Sequence, residues 1–198
     1  MQSTIAPPEG PPRRRSPFRR RPLSLLLVLA LMGAGAYSGW FLTNYDPLCH
    51  AGCAVGGVTG GHFVLGSSSS VRVQWRRGAT FIVWFSLETS GPVGITVREV
   101  GQQPSDLAPI RLVRVQMASA LQRDAFGNRR PFHPFALTQH KIVGAFLTYR
   151  MVGCVEAGTS YSLIEEPVRF SLFGIPRHMA VKLPVIAEIV GNAATCPG

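Results

Sequence analysis

Residues 142–151 read IVGAFLTYRM, and two series of side chains alternate along this stretch. The series at odd-numbered positions consists of Val143, Ala145, Leu147, Tyr149 and Met151. Because successive side chains of a β-strand point to opposite faces, this series would share one face of a strand. The pattern therefore predicts a long strand that is buried along its odd-numbered face.

The same two-residue period recurs on both sides of this strand. The other runs that carry it lie at residues 71–75, 81–87, 93–97, 110–117, 168–172, 179–183 and 186–190. Between the last three runs stand Gly174 with Pro176, and then Pro184, which predict breaks. The alternation changes phase between Leu112 and Val113, which predicts a β-bulge; a helix over residues 110–121 is the competing interpretation.

Short strands with turn signals at fairly regular intervals are typical of all-β folds. Residues 43–198 are enough for a single core of normal size. We therefore expect one all-β domain, an immunoglobulin-like antiparallel β-sandwich, that follows one N-terminal transmembrane helix. A jelly roll or a small barrel is the structural alternative.

The N-terminal part of the chain combines a basic cluster with an apolar segment. Residues 23–42 contain no charged side chain and have about the length that a helix needs to cross a bilayer. Immediately before them stand the arginines Arg13, Arg14, Arg15, Arg19, Arg20 and Arg21. Basic residues beside a span stay on the cytoplasmic side, so we expect a cytoplasmic N-terminus and an exported remainder.

The arginine cluster also bears on the partners of the chain. Its six arginines supply much of the formal charge of +10, and the chain has ten acidic residues in all. A basic arm that runs directly into an apolar segment is not typical of nucleic-acid binding, which we do not expect. The partners expected are the lipid bilayer, with anionic lipid head groups at Arg13 to Arg21, and an unidentified extracytoplasmic or membrane protein.

The apolar segment can be an anchor or a cleaved signal peptide. The small residues Ala34 and Ala36 permit a cut before Tyr37, which would release a secreted protein. However, apolar residues continue as far as Leu42, and Tyr37, Trp40 and Tyr45 would form an interfacial aromatic belt. These features favour a signal anchor.

Four segments follow from this interpretation. They are a cytoplasmic, Pro-rich basic tail at residues 1–22, a transmembrane helix at 23–42, a Gly-rich irregular neck at 43–61, and an extracytoplasmic β-sandwich at 62–198.

All four cysteines lie on the exported side of the predicted span, where disulfides persist. Four cysteines permit three pairings, and the sequence does not choose between them. We favour Cys154 with Cys196, which would tie down the C-terminal tail, and Cys49 with Cys53 as a small loop in the neck.

An alternative role for the neck is a metal or redox site. The thiolate and imidazole groups that zinc or copper(I) takes are present in Cys49, His50 and Cys53, with His62 further along the chain as an additional candidate. The spacing departs from the CxxC redox motif, and the surrounding glycines would give such a site little rigidity. We therefore favour structural disulfides and expect no bound metal and no cofactor.

The loop before the long strand at residues 142–151 mixes arginines with aromatic residues, a composition typical of contact surfaces. The residues concerned are Arg123, Phe126, Arg129, Arg130, Phe132 and His133. The plainer interpretation, which we favour, is that Phe132 and Phe135 close one end of the sandwich while the arginines are solvated.

The C-terminal half carries one resemblance to known proteins. Pro134-Phe135 precedes a strand, Cys154 closes that strand, and residues 166–184, EPVRFSLFGIPRHMAVKLP, form a hairpin pattern. This region resembles uncharacterised membrane-anchored or secreted β-sandwich proteins of high-GC Gram-positive bacteria. The resemblance covers about a quarter of the chain and implies a fold and a location but no activity.

No sequence motif indicates catalysis. The chain has no GxSxG nucleophile elbow, and the adjacent acids Glu165 and Glu166 would point to opposite faces of a strand. Pro167 follows them, which predicts a solvated position at a strand edge. We therefore expect a non-enzymatic interaction or assembly module, with a metal or redox accessory protein and a secreted ligand-binding protein as the alternatives.

Overall fold

The computed structural model describes residues 21–48, 55–64, 69–89, 91–119, 128–192 and 196. The chain divides into two units, Met1–Tyr45 and Asp46–Gly198.

The described part of the first unit forms a helix, α1, at Arg21–Asn44. Within it, Ser24–Asn44 has a mean hydropathy of 1.8, and none of its most apolar stretch is buried. The hydroxyls of Ser38 and Thr43 donate hydrogen bonds to backbone carbonyls one turn earlier, Ala34 at 2.7 Å and Gly39 at 3.0 Å, so they stay satisfied in an apolar medium. This helix is long and apolar enough to cross a membrane, and a signal sequence would have the same properties.

The second unit is built from β-strands arranged in two sheets. The strands in the described residues are β1 Gly56–Thr59, β2 Phe63–Val64, β3 Ser70–Gln74, β4 Thr80–Leu87, β5 Ile95–Val100, β6 Ile110–Ser119, β7 Arg130–Pro131, β8 Phe135–Leu137, β9 Val143–Met151, β10 Ser160–Leu172 and β11 Ile175–Val190. Their order is β1-β4-β9-β6-β7 in one sheet, which curls into half of a barrel, and β2-β3-β11-β10-β5-β8 in the other.

The central strand β9 has the position that its sequence predicts. It pairs with β4 on one side and β6 on the other, and its five odd-numbered side chains are all buried. On β4, Phe81, Val83, Phe85 and Leu87 are buried in the same way. The predicted alternation is thus confirmed for both strands.

Two apolar residues on the opposite face of the curled sheet explain why β4 and β9 are apolar on both sides. Phe146 is fully buried there, and its ring centroid lies 6.3 Å from that of Trp84. Ala118 and Ile82 belong to the same cluster. The curled sheet therefore buries apolar side chains on both of its faces.

The predicted bulge in β6 is confirmed. Leu112 pairs with Tyr149, whereas Arg114 pairs with Thr148, so that Val113 is the additional residue. Residues 110–119 are therefore a bulged strand and not a helix.

Two features of the six-stranded sheet differ from the prediction. First, β11 pairs in parallel with β3, so the sheet is mixed and not purely antiparallel. Second, β11 continues through Pro184, where a break was predicted. The register passes from Glu165↔Lys182 to Leu163↔Ala187, and this irregularity accommodates a proline that cannot donate to the ladder.

The prediction of an irregular neck up to residue 61 is wrong for part of that segment. Gly56–Thr59 forms β1 and pairs with β4, and Leu48 is fully buried and bridged to Thr89. A side chain at Gly56 would collide with Pro184 and with the backbone of β4. The absence of a side chain at Gly56 therefore permits close packing. The packed unit begins at Asp46 and not at residue 62.

A disulfide joins Cys154, just after β9, to Cys196 near the C-terminus, with a Cα–Cα distance of 5.6 Å. The backbone N–H of Cys196 also donates to a carboxylate oxygen of Glu156 at 3.3 Å. The favoured pairing of these two cysteines is present in the structure, and it fastens the chain end to the domain. Cys49 and Cys53 lie outside the described residues.

Removal of this bridge is expected to destabilise the domain. The bridged cysteines are 42 residues apart, and closing a loop of that length in the unfolded chain is worth about 4 kcal/mol. The full-length Cys154→Ser, Cys196→Ser variant in detergent should therefore lose about that much unfolding free energy in a denaturant titration. On the favoured pairing of Cys49 with Cys53, the matched variant Cys49→Ser, Cys53→Ser opens only a short loop and should lose less. Equal losses in the two variants would contradict this account.

Candidate functional site

The neck residues Cys49, His50 and Cys53 lie outside the described residues. His62 is described and exposed, and its Nε2 lies 2.7 Å from Nη1 of Arg76. Because a guanidinium can only donate, Nε2 of His62 must be the acceptor of this hydrogen bond. It accepts with the lone pair that it would need to bind a metal. Within the described residues no group of three or more His, Cys, Asp or Glu could hold a metal ion.

The loop with arginines and aromatic residues, at 123–133, contains both packed and exposed side chains among its described residues. Arg123 and Phe126 lie outside the described part of the chain. Cζ of Arg129 lies 5.4 Å from the ring centroid of buried Phe146, a cation–π contact. Arg130 belongs to β7, pairs with Met117 through the backbone and is exposed.

Phe132 lies where the chain passes from β7 in the five-stranded sheet to β8 in the six-stranded sheet. Its ring meets that of Phe135 edge to face, with centroids 6.0 Å apart, and both side chains are half-buried. Its N–H donates to the carbonyl oxygen of Val115 at 3.2 Å. The two rings therefore pack where the chain changes sheets, whereas His133 remains exposed.

Glu166, whose carboxyl group was predicted to be solvated, lies in the core. Glu166 on β10 is only 2% exposed, and Oε1 accepts a hydrogen bond of 2.6 Å from the hydroxyl of Tyr149 on β9. Since β9 and β10 belong to different sheets, this bond joins the two sheets. The predicted solvated strand edge is wrong for Glu166, because β10 lies between β11 and β5.

The sequence did contain a signal for this burial. Glu166 has the same two-residue phase as Val168, Phe170 and Leu172, which are all buried. Pro167 led to the prediction of a strand edge, because proline has no backbone N–H to donate. In the structure, however, Pro167 lies within β10, which is an inner strand of its sheet.

Burial dominates the electrostatics of this pair. Desolvation raises the pKa of Glu166 to about 7, although the hydrogen bond from Tyr149 acts in the opposite direction. The pKa of Tyr149 is raised by burial first and then by the charge and hydrogen bond of Glu166. Burial and Glu166 also raise the pKa of Tyr161. Glu166 thus keeps its proton to a higher pH than an exposed carboxyl group does.

Two depressions on the surface of the domain lie away from this pair. One, of about 270 Å³, is lined by residues that include Gln103, Asp106 and Arg111. Another, of about 360 Å³, is lined by Glu88, Thr89, Gln139, His140 and Ile142. Neither lining contains Glu166 or Tyr149, whose hydrogen bond joins the two sheets inside the core.

No family model matches the chain, and no curated protein matches it significantly.

The buried carboxyl group predicts an unusual dependence of stability on pH. Because the folded-state pKa of Glu166 is about 7 and its ordinary value is 4.5, the folded chain keeps a proton that the unfolded chain releases between these pH values. This contribution is complete below about pH 4.5 and is lost as the pH rises to about 7, a change on the order of 3 kcal/mol. Denaturant titrations of the full-length chain across this range measure it.

Two variants isolate the effect. Glu166→Gln should remove this part of the pH dependence, because an amide does not titrate. Tyr149→Phe removes the hydrogen bond that lowers the pKa of Glu166. In this variant the loss of stability with rising pH should therefore extend to higher pH than in the wild type. If wild type and Glu166→Gln depend on pH in the same way, Glu166 does not have a raised pKa.

Proposed function

We propose that this chain is a single-pass membrane protein that presents an extracytoplasmic, immunoglobulin-like domain as a non-enzymatic interaction or assembly module. The observation that carries the proposal is α1: an apolar helix, not buried by protein, leads directly into a packed β-domain. Such a helix is stable only in lipid or against an apolar partner.

The order of the strands supports an immunoglobulin-like arrangement. In chain order β1, β4, β5, β6, β9, β10 and β11 correspond to strands A to G, because β1-β4-β9-β6 reproduces the ABED sheet and β5-β10-β11 the CFG sheet. The domain departs from that fold in the curl of its first sheet and in β8, which follows β6 in the chain but pairs with β5. Tyr149 and Glu166 join strands E and F where many immunoglobulin domains have a disulfide between B and F.

Several properties of the N-terminal unit support an anchor over a cleaved signal. The rings of Tyr37 and Trp40 lie 6.2 Å apart, and Phe41 stacks on Tyr45 at 4.6 Å, which places aromatic rings at the end of the helix. Amphipathic rings at this position suit a membrane interface. The arginines before the helix favour a cytoplasmic N-terminus and contact with anionic lipid head groups.

A binding role is favoured over catalysis by the position of the polar groups. The carboxyl group with the strongly raised pKa, Glu166, is enclosed in the core. In the second depression, no hydrogen bond or ion pair joins Glu88 to His140 in the described residues. In the loop at 123–133, exposed Arg130 and His133 are instead available for a contact with an extracytoplasmic or membrane protein.

Paired reporter fusions test the orientation. Alkaline phosphatase, which needs export to fold, should be active when fused after Gly198, whereas a reporter that requires the cytosol should be inactive there. Replacing the six arginines before the helix with glutamates should reduce phosphatase activity, because it removes the charge that retains the N-terminus. Activity of only the cytosolic reporter would contradict the proposed topology.

The mass of the mature chain separates an anchor from a secreted protein. An anchored protein keeps residues 1–36, whereas cleavage after Ala36 removes them. The control is Ala34→Leu, Ala36→Leu, which a signal peptidase should not cleave. A mature wild-type chain that begins at Tyr37 while the control stays intact would support the secreted alternative and overturn the anchor.

A further inference from the structure

The turn between β10 and β11 presents an unusual residue to solvent. Leu172 pairs with Ile175, so the loop consists of Phe173 and Gly174, with φ values of 51° and 82°. Such two-residue turns favour Asn or Gly at the first position, and a bulky residue there is an outlier. The side chain of Phe173 is nevertheless 70% exposed. The fold therefore accepts an unfavourable backbone conformation and exposes an aromatic ring.

The topology places this turn at the end of the domain where the chain enters from α1. Leu48 bridges to Thr89, at the end of β4, and β4 leads into β5 through a short connection. The start of β5 pairs with the end of β10, through Thr96↔Ser171. Leu48, Thr89 and the turn at Phe173 therefore lie at the same end, which we call the entry pole.

The entry pole also carries residues 138–142, which connect β8 to β9. Ile142 is 40% exposed there, and Ile175, next to the turn, is 47% exposed. Exposed Lys141 and His140 lie beside Ile142, and half-buried Arg177 lies beside the turn. The acidic residues Glu88, which lines the same depression as His140 and Ile142, and Asp46, two residues before Leu48, also lie at this end. The exposed apolar side chains are therefore the main feature that suits a membrane interface, and Lys141 and Arg177 add positive charge for lipid head groups.

The covalent chain limits how far this pole can lie from the end of α1. Only Tyr45, Asp46 and Pro47 separate the last residue of the helix from buried Leu48. A fully extended connection of this length spans about 14 Å. A bilayer that holds α1 is therefore within reach of the entry pole.

We propose that the entry pole binds the surface of the lipid bilayer, with Phe173 inserted at the level of the head groups. This inference rests on the proposed membrane anchor and adds a second point of attachment to it. The domain would then be held against the membrane and would not move freely on a tether. Its opposite end, with fully exposed Leu107, would be directed away from the bilayer.

Site-specific photocrosslinking tests this contact in the full-length chain. A benzophenone amino acid replaces Phe173 in one variant and Leu107 in the other, and each is reconstituted into vesicles of phosphatidylethanolamine and phosphatidylglycerol. Leu107 is a suitable control because it is 97% exposed in the loop between β5 and β6, at the other end of the domain. Matching thermal melts show that both variants are folded, and intact-mass spectrometry identifies the adducts.

The expected result is a lipid adduct at position 173 in several-fold higher yield than at position 107. Equal yields at the two positions, or adducts at 173 that mainly link two copies of the chain, would overturn the inference. Flotation of the vesicles after alkaline extraction measures the anchor independently. Flotation without lipid adducts at 173 refutes only the docking of the entry pole, whereas loss of flotation refutes the anchor itself.

Discussion

The structure of the β-domain depends on one constraint, which is that the odd-numbered face of β9 must be buried. Ala145, Leu147, Tyr149 and Met151 are at most 2% exposed, and each large apolar side chain removed from water contributes about 1.5–3 kcal/mol. A slip of one residue in the pairing of β9 with β4 or β6 would turn this whole face outwards. The register of the curled sheet, and the position of Tyr149 opposite Glu166, follow from this requirement.

Features that depend on local periodicity could be predicted from the sequence. The buried faces of β4 and β9 and the bulge at Val113 are of this kind, since each changes the alternation of neighbouring residues. Features that depend on distant pairing could not. Pro184 fits within β11 because the pairing with β10 is interrupted around it, between Lys182 and Ala187. Gly56 is packed because β1 approaches that proline. Nothing near Pro184 or Gly56 in the sequence indicates these contacts.

The candidate surfaces show the same division between local and distant information. Composition alone identified the loop that contains Arg129 and Phe132, but not that Arg129 covers Phe146 or that Phe132 packs where the chain changes sheets. The sequence predicts a break at Gly174, but the exposure of the neighbouring Phe173 ring is visible only in the structure. Its place at the entry pole required the strand order.

The proposed topology requires that the domain folds outside the cytoplasm, where the bridge between Cys154 and Cys196 can persist. The most direct test is the oxidation state of these two cysteines in intact cells. Cells are quenched with acid, free thiols are alkylated, and the peptides are identified by mass spectrometry without reduction. The account predicts a linked peptide pair that contains Cys154 and Cys196. Complete alkylation of both cysteines in the membrane-bound chain would contradict it.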